Sequence, residues 1–324
     1  VTGTDFVRDL LTNPGLRGTH DVRHEVVAVA SSTSQQKAVD FCAKMAFPSG
    51  TQVKPYGSYA ELVADIETEL QKKKKVLSWL AESDYTTQQH DYISKLEPGA
   101  DKWLLRSPEL RAWLDSPKTT LFCPGIQCAG KTIQTSILID YLIETFHNDP
   151  TVMVAYVYCN FQRQQDQKAE HLLANLLKQL AKHHNSLPSC LKSLYDELTR
   201  KDKGPSLEDL SETFQSAASP YSRVFIVVNA LDECDDIDGS RTEFLDRLLD
   251  IQSKIELNLF VTSRHIRYIE ERFEGVPSVV IRPSRHDIFN FLSNHMFQLP
   301  DFVRGDKSLQ EEIKTEMESA IEGM

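Results

Sequence analysis

The sequence predicts an α/β fold built on a parallel sheet with helices on both faces, carrying a phosphate-binding loop and flanked by helices. Three observations carry this expectation. From residue 119 onward, unbroken apolar runs (TTLFC, TVMVAYVYCNF, RVFIVV and LNLFVTS) alternate with segments of helical periodicity. Strands buried on both faces read as continuous apolar runs, and helices on either side of a parallel sheet are what bury them. The stretch Gly125–Thr132, GIQCAGKT, fits G-x-x-x-x-G-K-[ST] between a strand signal and a helix signal, the context that this pattern requires. The third observation is the acidic strand end, VFIVVNALDE, about a hundred residues further on.

Residues 1–65 alternate helix and strand signals. DFVRDLL puts its apolar residues on one helical face, and Val26 to Ala30 form a buried-strand run opening into a Ser-rich turn. SQQKAVDFCAKM is again helical, and YGSYAELVADI reads as a short strand or turn followed by a helix. The next segment, ETELQKKKKVLSWL, carries lysines 72–75. They read as the solvated face of a helix or linker rather than as a nucleic-acid patch, since a short basic run is weak evidence. Pro98, Gly99 and Pro108 then supply the punctuation of a domain boundary.

Within the core, TTLFC is the first strand. Ile133, Ile137, Leu138, Tyr141 and Leu142 follow at helical spacing over 131–146. KAEHLLANLLKQLAKH is an amphipathic helix between the second and third strands, and TEFLDRLLDIQ lies between the third and fourth. The tail, from RPSRHDIFNFLSNHM to SLQEEIKTEMESAIEGM, reads as helices. Four parts are therefore expected. Residues 1–65 form an incomplete α/β segment, and 66–118 a helical linker and lead-in. Residues 119–282 form the phosphate-loop core, and 283–324 a helical segment cut short.

The 324 residues are 40% hydrophobic and 26% charged, ordinary for a globular chain with a sizeable core. The net charge of −11 disfavours broad binding to a phosphate backbone, which needs a basic face. Cysteines 42, 123, 128, 159, 190 and 234 show no C-x-x-C pair and no zinc spacing. They read as reduced, mostly buried fillers of a cytoplasmic protein. No stretch approaches a membrane span, and no basic-then-apolar leader opens the chain. The first residue is Val1 rather than Met, which allows for an upstream piece.

The loop chemistry follows from its residue types. Its glycines let the backbone over Gly125, Ile126, Gln127, Cys128, Ala129, Gly130, Lys131 and Thr132 curl so that N–H groups of the loop surround a phosphate chain. The N-terminus of the following helix adds a dipole that favours anions. Lys131 is placed to reach the terminal phosphates, and the Thr132 hydroxyl to meet a magnesium ion. The apolar run Val224 to Val228 leads to Asn229, then Asp232 and Glu233. Such a strand is expected to end in a metal-binding Asp. Asn keeps the shape and one acceptor oxygen but loses the charge. Asp232 and Glu233 are candidates to orient an attacking water or to help hold the ion, against the alternative of a solvated turn. Arg264 ends LFVTSR, where a cation can sense the γ-phosphate, against the alternative of a surface arginine paired with an acid. His265 reads as structural.

With these motifs in order, residues from about 76 to 324 resemble fungal NACHT domains, NLR-like STAND P-loop NTPases of the nephrocystin type. The carrying segments are VLSWLAESDYTTQQHDYISKLEPGADKWLLRSPELRAWL, LFCPGIQCAGKT, VYCNF, VFIVVNALDEC, LFVTSR and the tail. The resemblance implies a P-loop NTPase fold and binding of Mg2+ with ATP or GTP at Gly125–Thr132. It implies Asp232, Glu233 and Arg264 as catalytic residues, and Thr132, Asn229 and Asp232 around the metal. It further implies a signalling switch whose nucleotide state controls self-association or contact with other signalling proteins; the acidic charge and the lack of a spanning stretch add the expectation of no nucleic acid and no membrane as partner. Purine recognition is expected around Trp103 and Leu104. The family usually shows GIPGAGKT and DALDE. Gln127 and Cys128 depart from the first at places where other phosphate loops carry side chains, so these changes are expected to be tolerated; Asn229 departs from the second, so slow or absent hydrolysis is expected. A nucleotide-independent scaffold is the alternative.

Residues 1–65 are similar to part of the Gfo/Idh/MocA oxidoreductases, near the dihydrodiol and D-xylose dehydrogenases, which would make them a partial Rossmann-like fragment. An NADP-dependent oxidoreductase is the function this second resemblance implies. Yet the chain contains no G-x-G-x-x-G, the loop that such chemistry requires.

Overall fold

The computed structural model describes residues 26–29, 53–56, 59–96, 102–162, 167–184, 186–234, 238–282 and 292–322. The helices expected at 5–11 and 34–45 lie outside the described residues, as does the start of the tail at 283–291. Contacts divide the chain into two compact units, Val1–Trp79 and Leu80–Met324.

In the first unit, β1 (Val26–Val29) and β2 (Val53–Tyr56) pair in parallel, Val26 opposite Val53. A helix, α1 (Tyr59–Leu80), follows without a break at residue 65. Lysines 72–75 lie on it, with Lys74 and Lys75 exposed.

The second unit holds a parallel four-stranded sheet. Its strands are β3 (Thr120–Pro124), β4 (Val152–Tyr158), β5 (Arg223–Asn229) and β6 (Leu257–Ser263), in the order β3-β6-β5-β4. All four were legible as apolar runs, because each is buried along nearly its whole length. A further segment, residues 277–281, runs beside β3. Phe122 N–H donates to Pro277 O, Val279 N–H to Phe122 O and Ile281 N–H to Pro124 O, at 3.0, 3.0 and 2.7 Å. No element was expected there. Pro277 breaks the strand pattern, and proline is tolerated at such an edge because its missing N–H leaves no ladder bond unmade.

Helices α2 (Tyr85–Ser94) and α5 (Lys131–Phe146) form one covering layer. Helices α6 (Ala169–His183), α8 (Leu207–Ala218) and α9 (Ser240–Lys254) form the other. The short helices α3 (Trp103–Arg106) and α4 (Pro108–Asp115) lead into β3, and α7 (Ser189–Arg200) packs on α8. Pro108 opens α4 at its first turn behind the Ser107 cap, where a proline costs nothing. Trp113 then anchors α4 to the sheet: its Nε1–H donates to both Thr119 O and Leu259 O at 3.1 Å, and its ring stands 5.2 Å from Phe225.

Helices α7 and α8 were not anticipated. Helix α8 starts at a capping box in which Ser206 and Asp209 each bond the other's backbone N–H, worth about 1 kcal/mol. Helix α6 has no side-chain cap, yet it fully buries Leu172, Leu173, Leu176, Leu177 and Leu180. At about 2 kcal/mol for each buried leucine, packing rather than capping holds it.

All strands being parallel, their carboxyl ends fall on one edge. Pro124 pairs with Ser263, Val261 with Val228, and Asn229 with Tyr158. The phosphate loop leaves that edge between β3 and α5. Its first residue, Gly125, donates to Ser263 O at 3.0 Å, and a Cβ there would stand 2.4 Å from Ile281 O. Gly125→Ala is therefore expected to lower stability by about 2 kcal/mol, within the ~1–3 kcal/mol range of overpacked sites. Urea unfolding reads this directly, and an unchanged midpoint would mean that the edge segment moves aside freely.

Candidate functional site

The loop closes on itself in two left-handed residues. Gly130 stands at φ 87° and caps α5; Cys128 stands at φ 60°. Glycine takes that conformation freely, whereas a residue with a Cβ takes it at a cost of roughly 1–2 kcal/mol. The residue at which this loop departs from the related Gly pattern is thus one whose backbone wants glycine. Gln127 and Cys128 are exposed, Ala129 is buried, and Ile126 is half-buried.

Lys131, the first residue of α5, is turned back over the loop. Its ammonium donates to Gly125 O at 2.8 Å and Ile126 O at 2.7 Å. Burial pushes its pKa below the ordinary lysine value; Asp232 pulls it back up and Arg264 presses it down again. Thr132 follows, half-buried, with its Oγ1 facing the tip of β5.

At that tip Asn229 is 3% exposed. Its Nδ2 donates toward Thr132 Oγ1 at 3.4 Å, and its Oδ1 accepts from Thr262 Oγ1 at 3.2 Å. The next residue, Ala230, turns left-handed at φ 53°, and its N–H donates to the same Thr262 hydroxyl at 2.8 Å. This turn begins the 3-10 segment Leu231–Glu233. It carries Asp232 under the end of β6, where Oδ1 accepts from Arg264 N–H at 2.9 Å and Oδ2 from Arg264 Nε at 2.5 Å. The Asp232 side chain is 1% exposed and that of Arg264 47%. The buried carboxylate therefore aims a half-open guanidinium, and it raises the arginine pKa further through its hydrogen bond and its charge. Glu233 is half-buried and its Oε2 lies 3.4 Å from Phe161 N.

The structure thus brings Lys131, Thr132, Asn229, Asp232 and Arg264 to one edge, with Glu233 beside them. A divalent cation such as Mg2+ takes oxygen lone pairs. Here the group facing the Thr132 oxygen presents hydrogens, and both Asp232 oxygens are engaged by Arg264. As arranged, these residues do not fit such an ion tightly. Among the described residues no group of three or more His, Cys, Asp or Glu side chains could hold a metal.

Other expected residues fall elsewhere. His265 pairs with Glu270 at 2.8 Å. Leu104 is fully buried and Trp103 half-buried, on a helix packed against α5. The Cys159 thiol is pushed well up by its hydrogen bond with Cys234 and by burial, and burial does the same to Cys123. Such thiols are inert fillers. Among the described residues no helix is long and apolar enough to cross a membrane.

Thr262 and Arg241 also shape the site, with no local signal in the sequence. Thr262 is fully buried on β6; only the strand order, invisible in one sequence, sets it beside Asn229. Arg241, at the start of α9, lies over the Tyr268 ring at 4.7 Å and donates to Cys234 O at 3.4 Å, holding the end of the acidic turn.

A phosphate loop between strand and helix, on a parallel sheet whose acidic and arginine-tipped strands meet it, defines a P-loop NTPase fold. The chain belongs to the family described as nephrocystin 3, N-terminal, whose model matches residues 99–264. Two solved structures are similar at lower levels. The Orc1 protein of Aeropyrum pernix in complex with DNA is 15% identical, with 64% of this chain and 51% of that chain covered and a TM-score of 0.42. Cdc6p of Pyrobaculum aerophilum is also 15% identical, with 67% and 52% covered and a TM-score of 0.37. Separately, a stretch of 60 residues is 53% identical to the D-xylose 1-dehydrogenase (NADP(+)) of Hypocrea jecorina. That stretch is 18% of this chain and spans only 15% of the dehydrogenase.

The left-handed Cys128 leads to a prediction. Cys128→Gly is expected to raise stability by up to about 1 kcal/mol, the αL penalty less the added freedom of glycine in the unfolded chain. Thermal or urea unfolding checks it; a loss of stability would show that the Cys128 side chain contributes more than its backbone costs.

Proposed function

We propose that this chain is a nucleotide-binding switch of the NACHT type that binds ATP or GTP at Gly125–Thr132, with slow or absent hydrolysis. One observation carries the reading: Lys131 folds back over the loop at the α5 N-terminus, and the loop is tied to Ser263 O, next to the Arg264 that Asp232 holds. A phosphate chain there would meet loop N–H groups, a helix dipole and two cations, the donor set such anions require. Asp232 acts by holding Arg264, which would sense the terminal phosphate. Glu233 is the remaining candidate to orient a water. Slow turnover fits an acidic strand that ends in a neutral amide.

The same reading proposes four parts: an incomplete Rossmann-like fragment at 1–65, a helical lead-in at 66–118, the NTPase core at 119–282 and a C-terminal helical segment at 283–324. Self-association or another signalling protein is the proposed partner, in the cytoplasm, without nucleic acid or membrane. The net charge of −11 supports the exclusion of nucleic acid.

A nucleotide-independent scaffold is the second reading, favoured by the strained Cys128 and the neutral Asn229. Titration of a fluorescent ATP analogue separates the two. Lys131→Ala is expected to weaken binding by roughly tenfold or more, the worth of a charge-assisted contact of about 1.5–3 kcal/mol. Equal affinities in wild type and variant would remove the loop from nucleotide binding and leave the scaffold.

A further inference from the structure

We infer that this loop takes a nucleoside di- or triphosphate without a divalent cation, and that Thr262 is the positioning residue responsible. The inference rests on the nucleotide-binding reading above and adds to it what the site requires of its ligand.

The proton of one hydroxyl decides how the site faces its ligand. Thr262 Oγ1 is fully buried and accepts the Ala230 N–H at 2.8 Å. Its own proton must find an acceptor inside the protein, because an unmet buried donor is costly. The acceptor in reach is Asn229 Oδ1, at 3.2 Å. With its oxygen held by Thr262, the carboxamide has only its NH2 to turn toward Thr132 Oγ1. Rotating the amide would set two donors against a hydroxyl whose proton then lacks a partner. The orientation is therefore determined by a residue on the neighbouring strand.

The consequence is larger than a missing charge. An aspartate at this place would offer lone pairs to Thr132 and to any cation near it; the amide offers hydrogens to both. Asp232 does not compensate, since each of its oxygens accepts from Arg264 and its side chain is 1% exposed. An NH2 group beside the phosphate position favours an anion. The negative charge of the phosphates is then offset by Lys131, Arg264, the α5 N-terminus and the loop N–H groups.

The test uses the full chain and fluorescent analogues of ADP and ATP, titrated in excess magnesium and again in excess EDTA. Wild type is expected to bind with affinities that agree within about threefold between the two conditions, a difference under 1 kcal/mol. Asn229→Asp is expected to bind at least ~10-fold more tightly with magnesium than without, since partners at the rim of a metal site are worth ~10–100-fold in metal affinity. Thr262→Val, which frees the carboxamide to turn, should move the ratio in the same direction. Thr262→Ser, which keeps the hydroxyl, should retain the wild-type ratio.

Wild-type binding that collapses in EDTA overturns the inference and leaves the nucleotide reading standing. No binding in either condition overturns both. A folded Thr262→Val protein with the wild-type ratio removes Thr262 from the role. If that variant does not fold, the wild-type and Asn229→Asp ratios still decide the cation question.

Discussion

Strand β6 is the constraint on which the site depends. It lies between the loop-bearing strand β3 and the acidic strand β5, and all of its residues are buried. Its last two residues and the one that follows each hold a different part of the site. Thr262 holds Ala230 and Asn229 on one side. Ser263 O holds Gly125 on the other. Arg264 is clamped by Asp232 at both its backbone N–H and its Nε. A shift of β6 would move all three at once, so the loop, the strand tip and the guanidinium form one packed unit rather than three separate motifs.

Much of this was legible in the sequence because the signals are local. A strand buried on both faces shows as an apolar run, and a phosphate loop shows as four fixed positions between a strand and a helix. What stayed hidden is what depends on strand order. Asn229 reads as a lost charge in the sequence; only its neighbour across the sheet, Thr262, shows which way the amide faces. Asp232 was a candidate for water or metal chemistry, and the fold pairs it with Arg264 from 32 residues away. Helices α7 and α8 escaped notice between louder signals, although the Ser206–Asp209 capping box marks the start of one of them. The edge segment at 277–281 was concealed by Pro277, a residue that argues against a strand everywhere except at an edge.

Two left-handed residues without glycine stand at this edge, Cys128 in the loop and Ala230 at the acidic turn. Strain of this kind persists where surrounding contacts over-determine the backbone. For Ala230 those contacts are plain: its N–H is held by Thr262, and the turn it starts delivers Asp232 to Arg264. Cys128 is exposed, and no side-chain hydrogen bond holds it among the described residues. The acidic turn is thus built into the sheet, whereas the loop departs from glycine at an exposed position.

The most direct test of a phosphate site at these three strand tips is the set of backbone amide chemical shifts of the full chain as ADP is added. A phosphate bound there predicts the largest changes at Ala129, Gly130, Lys131 and Thr132, with a linked change at Arg264. Saturating nucleotide that leaves those amides unmoved, or that moves only residues on other faces of the protein, would contradict it.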